Sequence, residues 1–242
     1  MLHSTKAIVL HSFKYGDSGI IARVYTRNMG LQSYLVQGVR KRKSKIRANL
    51  FHPLSLVDMV VYHKEKTRLQ RIKEISSASP LNNLGSDIRK SSIAIFISEM
   101  LLNVFKLQET QVDVFDFVYD AVEKLNTMTE NLAGFHLLFL LQLSGFLGFS
   151  PAKNYSQNNC FFNLREGIYQ SIDHGSEYCL GKEESFWLFQ LSQMDVLNDL
   201  HSNITPEYRK KLLLKTIEYY RIHMEGFKEI KSLDILESVF KG

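Results

Sequence analysis

Residues 6–37 read KAIVLHSFKYGDSGIIARVYTRNMGLQSYLVQ, and this stretch decides the fold class. β-branched and aromatic residues recur in it with period two, in three runs separated by turn-forming residues at 15–19 and 28–30. Strand-like runs return at residues 54–62 and 67–75. Five short strands in about eighty residues, without a helical segment long enough for a parallel crossover, predict a small antiparallel barrel. The five-stranded OB-fold is the usual such module in a basic domain, and an SH3-like barrel is the main alternative.

A change of composition marks the predicted domain boundary. Small residues and a proline occupy residues 76–80, and beyond them apolar residues recur at helical spacing in residues 93–105 and 114–125. We therefore predict an OB-fold domain over residues 1–80 and a mostly α-helical domain over residues 81–242. Together they make an α+β protein.

The helical part contains one apolar stretch and one irregular stretch. Residues 132–149 are apolar on nearly every face, but they include polar side chains and fall short of a span of about 20 residues, so we predict a buried central helix. Residues 151–181 predict an insertion with a hairpin that turns at 165–167. Helical character resumes at 183–200 and again after Thr205, a predicted N-cap that is followed by proline and glutamate.

Charge is distributed unevenly along the 242 residues, whose overall formal charge is +5. Residues 1–80 carry fifteen Lys and Arg against four Asp and Glu, a net charge of +11, whereas residues 81–242 carry fifteen against twenty-one, a net charge of −6. Such segregation plays no part in building a fold, so it indicates a polyanionic partner for the first third. That partner is either nucleic acid or an anionic membrane surface, although the strand-like pattern lacks the amphipathic basic helix of a membrane adaptor.

The densest positive charge lies in residues 40–47, which hold six cations and no acid. On a loop between two strands these cations would neutralise phosphates and release counterions, giving salt-sensitive affinity without sequence preference. The alternative is an ordinary solvated run of charges. The basic character of the rest of the first third favours phosphate binding.

Aromatic residues are interleaved with these cations, and an exposed ring on a barrel face gives an unpaired base a stacking surface. About half of the rings belong to the barrel core, because alternation sends every second side chain inward. Tyr34 and Tyr62 are the best candidates for exposure. The predicted nucleic-acid-binding residues are Arg23, Arg27, Tyr34, Arg40, Lys41, Arg42, Lys43, Lys45, Arg47, Tyr62, Arg68 and Arg71.

Motifs for catalysis are absent from the sequence. The first third has only four acidic residues, too dispersed for a two-metal nuclease site, and no phosphate-binding loop or nucleophile motif is present. Cys160, His174 and Cys179 lack the paired spacing of structural zinc ligands. We therefore predict no catalytic residue, no metal and no cofactor, and keep a metal-dependent nuclease as an alternative.

Cysteine use and the first residues bear on the compartment. Two cysteines cannot form a disulfide framework, and the first residues lack the pattern of a secretory signal. Both observations predict a cytoplasmic protein.

Several segments, in order, resemble the RecO family of bacterial recombination mediators. Residues 38–44, GVRKRKS, resemble its glycine-led basic loop, and residues 50–54, LFHPL, are similar to the segment that follows. Residues 146–151, FLGFSP, resemble the turn after the central helix, and residues 212–240 are similar to the final helix and tail. The resemblance covers nearly the whole chain.

The resemblance implies an OB-fold that binds single- and double-stranded DNA and anneals complementary strands in the nucleoid. It also implies action with RecR to load RecA onto strands coated by single-strand binding protein. The acidic, apolar C-terminal tail of that protein would dock on the helical domain, where Arg209, Lys211, Leu212 and Lys215 offer cations beside an apolar side chain. A solvated helix face is the alternative for these four residues. Some members carry a four-cysteine zinc site, which this chain does not retain.

Overall fold

The computed structural model groups the chain into two compact units. The barrel unit comprises Met1–Thr127 and Ile230–Phe240, and the helical unit comprises Met128–Glu229. The predicted domain boundary at residue 80 lies outside the described residues and stays a prediction. The structure describes residues 1–39, 46–64, 67–79, 84–105, 110–173, 175–198 and 204–240.

Five strands of the barrel unit close into a barrel in the order β1-β2-β3-β5-β4, which confirms the predicted OB-type α+β fold. Four of its strand pairs are antiparallel, whereas β3 and β5 run parallel, so the expectation of antiparallel pairing throughout is wrong for that pair. The strands are β1 (Leu2–Tyr15), β2 (Gly19–Thr26), β3 (Gly30–Val36), β4 (Leu56–Tyr62) and β5 (Leu69–Ser77).

Strand β1 closes the barrel because it is long enough to pair on both sides. Its first half pairs with β4 and its second half with β2, and a bulge lies between Val9 and His11. Gly19 opens β2 where a Cβ atom would lie 2.8 Å from the carbonyl oxygen of Tyr15, so the tight connection requires glycine.

The barrel core is built by alternation along these strands. Ala22 and Val24 of β2, with Val57 and Met59 of β4, are buried inside it. Val39 and Phe51, on either side of the basic segment, are buried in the same core.

Three helices complete the barrel unit: α1 (Ile88–Val104), α2 (Val112–Thr127) and α6 (Leu233–Val239). Lys90 of α1 is buried, and its ammonium donates a 2.7 Å hydrogen bond to the carbonyl oxygen of Asn126 at the end of α2. The carboxylate of Glu99 accepts hydrogen bonds from the backbone N–H groups of Lys231 and Ser232, which fixes the segment that leads into α6. These hydrogen bonds lower the pKa of Glu99 against the opposing effect of its burial.

The helical unit contains α3 (Phe135–Phe146), α4 (Lys182–Ser192) and α5 (Pro206–His223). Nine of the twelve residues of α3 are buried, which confirms the predicted central helix. Thr205 caps α5 and Pro206 takes its first position, as predicted. Helix α4 ends at Ser192, so the predicted extension towards residue 200 is wrong over the described residues. Over the described residues, every helix is too short or too polar to cross a bilayer.

The irregular insertion carries the predicted hairpin. Strands β6 (Phe161–Asn163) and β7 (Ile168–Gln170) pair antiparallel, and Gly167 sits between them with a positive φ of 68°. Asn163 accepts hydrogen bonds at its side-chain oxygen from the backbone N–H groups of Arg165 and Glu166, which stabilises the turn.

Candidate nucleic-acid interface

A row of directly paired residues runs across the outside of the barrel. Residues opposite one another on neighbouring strands point to the same face, and the row starts and ends on β1 because the strands are staggered. Arg71 pairs with both Leu35 and Tyr62, so a cation lies between two apolar or aromatic side chains. We call this the outer row: Phe13, Ile21, Leu35, Arg71, Tyr62 and Leu2.

The outer row is accessible at both ends. Phe13 and Tyr62 are each 46% exposed, Leu2 is 51% exposed, and Arg71 is also exposed. Exposed rings of this size are unusual in a closed barrel, whose aromatic side chains normally fill its interior. The row therefore offers two aromatic faces and one guanidinium to a ligand.

A second row lies beside the first, two residues away along β1, β2 and β3. Arg23 pairs with His11 on one side and Ser33 on the other, and Ser33 pairs with Leu69. The ring centroids of His11 and Phe13 are 6.0 Å apart, so the two rows are in contact. Arg23 is half-buried, and this burial lowers the pKa of its guanidinium.

Tyr62 is exposed as predicted, but the prediction that Tyr34 is exposed is wrong. Tyr34 pairs with Ala22 and Gln70, both buried, and its own side chain is fully buried in the barrel core. Its hydroxyl has no hydrogen-bond partner among the described residues, and burial raises the pKa of this hydroxyl. The sequence prediction instead missed Phe13, whose exposure follows from its pairing opposite Ile21 on the outer face.

Arg27 is already engaged within the barrel unit. Its guanidinium makes two 2.7 Å hydrogen bonds to the carboxylate of Asp116 on α2. This pairing raises the pKa of Arg27 and lowers that of Asp116. Arg27 therefore attaches β2 to α2 and is less available to a polyanion than Arg23 or Arg71.

The remaining predicted cations lie at the ends of connections. Arg68 is exposed just before β5, and Arg47 is exposed just before the 3₁₀ turn Ala48–Phe51. Within the described residues, neither makes an ion pair. The other five predicted cations lie outside the described residues: Arg40, Lys41, Arg42, Lys43 and Lys45.

The predicted partner site lies on α5 of the helical unit. Leu212 is fully buried, so its assignment to an accessible apolar surface is wrong, because its position on the helix faces the core. Leu214 is 42% exposed and is the apolar side chain that α5 presents outward. Lys211 lies 3.1 Å from the carboxylate of Glu207, and Lys215 lies 2.8 Å from that of Glu218.

Arg209 differs from these lysines. It is half-buried, burial lowers the pKa of its guanidinium, and it makes no ion pair with a described residue. Burial, and secondarily the positive charge of Arg209, lowers the pKa of nearby His136 to about 3, so His136 is neutral at pH 7. Arg209 is therefore the one predicted partner-binding cation whose charge is not already balanced by an acid among the described residues.

The structure gives no metal-binding arrangement among the residues it describes, because no three His, Cys, Asp or Glu side chains converge there. Cys160 is buried beside β6, whereas the Cys179 sulfur accepts a 3.6 Å hydrogen bond from the side chain of Gln170. His174 lies outside the described residues.

The strand order and the outer row define an α+β protein with an OB-type barrel. A family model described as "Recombination protein O N terminal" matches residues 1–81, and one described as "Recombination protein O C terminal" matches residues 85–234. The chain belongs to the recombination protein O (RecO) family, which confirms the resemblance.

Relatives match along their whole length. The DNA repair protein RecO of Azobacteroides pseudotrichonymphae is 35% identical over 240 residues, covering 99% of this chain and 100% of the relative. The proteins of the same name from Phocaeicola vulgatus and Christiangramia forsetii are each 33% identical, over 242 and 243 residues, with the same coverage. Family membership therefore rests on both the barrel and the helical parts.

Proposed function

We propose that the chain is a non-enzymatic mediator of recombinational DNA repair. It binds single- and double-stranded DNA, anneals complementary strands and, with RecR, helps load RecA onto strands coated by single-strand binding protein. Family membership supports the role in repair. The observation that carries the DNA-binding part is the outer row, in which exposed Tyr62 and Arg71 lie directly opposite each other.

Two interactions contribute to the free energy of DNA binding. Cations on and near the barrel neutralise phosphates, and each phosphate contact releases counterions, so affinity falls as salt rises. Phe13 and Tyr62 stack on unpaired bases, which contributes about 1 to 3 kcal/mol per base and needs no particular sequence. Neutralisation of phosphates also lets two strands approach each other, which annealing requires.

The helical unit takes the partner role in this proposal. The acidic C-terminal tail of single-strand binding protein docks on α5, where Arg209 binds a carboxylate and Leu214 contacts an apolar side chain. The protein acts in the cytoplasm, at the nucleoid.

Fluorescence anisotropy with a labelled oligothymidylate tests the outer row. The double variant Phe13→Ala, Tyr62→Ala should bind at least about tenfold more weakly, because two stacking surfaces are lost. Its dependence on salt should stay unchanged, because neither side chain carries charge. The matched control is Ile172→Ala, Ile235→Ala, which removes two exposed apolar side chains elsewhere and should bind as the unmodified protein does.

Wild-type affinity in the double variant would contradict the proposed interface. Annealing of complementary strands coated with the cognate single-strand binding protein extends the same test, and the double variant should anneal more slowly. A labelled strand incubated with magnesium should stay intact on a denaturing gel. Shortened strands would favour the nuclease alternative.

A further inference from the structure

A groove with the opposite charge lies in the barrel unit, between β1 and α2. Its volume is about 690 Å³, which is within the usual range of about 300–1,000 Å³ for ligand sites. Four carboxylates line it, whereas the first third of the chain as a whole is strongly basic. They belong to Asp58 of β4 and to Asp116, Asp120 and Glu123 of α2.

The two cations in this groove are already occupied. Arg27 is held by both oxygens of Asp116, and the ammonium of Lys6 lies 4.9 Å from the ring centroid of Tyr119. The carboxylates of Asp58, Asp120 and Glu123 make no ion pair with any residue that the structure describes. Excess negative charge therefore remains in the groove, on the barrel side at Asp58 and on the α2 side at Asp120 and Glu123.

Tyr119 supplies a second, independent feature. Its side chain is only 7% exposed and its ring packs 5.8 Å from that of Phe115, yet it lines the groove. Over the described part of the chain, its hydroxyl makes no hydrogen bond. Burial, and then the negative charges of Glu123, Asp58 and Asp120, raise the pKa of this hydroxyl.

We propose that this groove binds an arginine or lysine side chain from a basic segment of a protein partner. Asp120 and Glu123 lie three residues apart on one face of α2, so their carboxylates converge on one cation. A guanidinium there donates to both carboxylates and to the Tyr119 hydroxyl oxygen, and a planar group with five donors suits this set of acceptors.

The negative charge of the groove favours a cationic side chain over a phosphate or an acidic peptide. The three carboxylates repel phosphates, so the groove is no part of the DNA-binding surface. Three carboxylates also oppose an acidic peptide. The described residues contain no arrangement suited to a metal ion. A cationic side chain on a protein segment complements both the carboxylates and the tyrosine hydroxyl.

Anisotropy of a fluorescein-labelled peptide, Gly-Arg-Gly-Arg-Gly with blocked ends, tests the proposal on the full chain. The chain carries a net charge of +5, so saturable binding of a cationic peptide requires a local acidic site. Asp120→Asn with Glu123→Gln should weaken binding at least about tenfold, and Tyr119→Phe should weaken it several-fold. Both sets of substitutions keep side-chain volume, and thermal unfolding followed by circular dichroism checks that the variants fold.

Two controls make the outcome decisive. Glu225→Gln with Glu229→Gln removes the same charge from exposed positions of the helical unit and should bind the peptide normally. The same peptide with citrulline in place of arginine keeps the shape but loses the charge, and it should not bind. The proposal is overturned by no saturable binding, by equal weakening in the two double variants, or by equal binding of the citrulline peptide.

Discussion

The barrel and α5 both carry clusters of cations, but they differ in whether acids already balance them. Arg23 and Arg71 on the barrel make no ion pair with a described residue, whereas Lys211 and Lys215 on α5 are held by Glu207 and Glu218. The sequence shows a cluster of cations at each surface. Available charge, and not the number of cations, therefore distinguishes a surface for polyanions from a solvated helix face.

The largest expected effect tests the barrel side of this comparison. Replacing Arg40, Lys41, Arg42 and Lys43 by alanine should weaken oligonucleotide binding more than tenfold at low salt, because up to four phosphate contacts are lost. It should also reduce the slope of log affinity against log salt by up to about 3 for a single strand. Fluorescence titrations at several salt concentrations measure both quantities.

The control for this variant removes four exposed lysines that lie outside the five strands of the barrel. Alanine at Lys153, Lys182, Lys228 and Lys231 changes the net charge equally and should alter affinity and slope much less. Equal effects of the two variants would mean that overall charge, and not the basic segment, governs binding.

A smaller effect tests the α5 side. Arg209→Ala should weaken binding of a labelled tail peptide from the cognate single-strand binding protein by about tenfold, because a half-buried guanidinium pairs strongly with a carboxylate. Lys211→Ala should change it less than about twofold, because Lys211 is already paired with Glu207. The anisotropy of the peptide measures both, and a larger loss in the lysine variant would reverse the proposed ranking.

The sequence was sufficient to predict the fold, but it did not show which side chains of β3 face the core and which face outward. Alternation predicts the barrel, yet Gln32, Tyr34 and Val36 point inward while Ser33 and Leu35 point outward, so each face mixes polar and apolar residues. Gln32 is buried because its side-chain amide donates a 2.6 Å hydrogen bond to the carbonyl oxygen of Met29. The strand register shows that Gln32 faces the core, whereas the polarity of its side chain alone would predict that it faces outward.

Packing of barrel residues against the helices also limits what the sequence alone can predict. Tyr25 follows Arg23 by two residues on β2, so alternation alone predicts a ring on the outer face of the barrel. The ring is instead 1% exposed, because it stacks on Phe105 with ring centroids 4.0 Å apart. The Arg27–Asp116 ion pair likewise joins residues that are far apart in the chain. Such contacts between distant segments bury a ring or engage a cation with an acid, and no local pattern indicates them.

A stability effect of about 1 kcal/mol tests the reassignment of Tyr34. Tyr34→Phe removes a buried hydroxyl that no described residue hydrogen-bonds, so it should raise the melting temperature by about 2–4 °C. Oligonucleotide affinity should not change, because the ring faces the core. Tyr25→Phe is the matched control and should lower the melting temperature, because the Tyr25 hydroxyl donates to the carbonyl oxygen of Gln111. A loss of DNA affinity in Tyr34→Phe would restore the original assignment.

The smallest expected effect concerns Arg27, the predicted DNA-binding cation that an acid already balances. Asp116→Asn releases Arg27, so oligonucleotide binding should become slightly tighter and the melting temperature at pH 7 should fall slightly. Arg27 holds the pKa of Asp116 below its ordinary value of 3.8, so the ion pair stabilises the fold above that value.

This stabilisation should be lost as the pH falls through the lowered pKa, because the folded state then takes up the proton. The difference in melting temperature between the unmodified protein and Asp116→Asn should therefore be greatest near neutral pH and shrink below about pH 4. A difference that stays constant down to pH 2 would show that Asp116 acts through packing rather than through its charge.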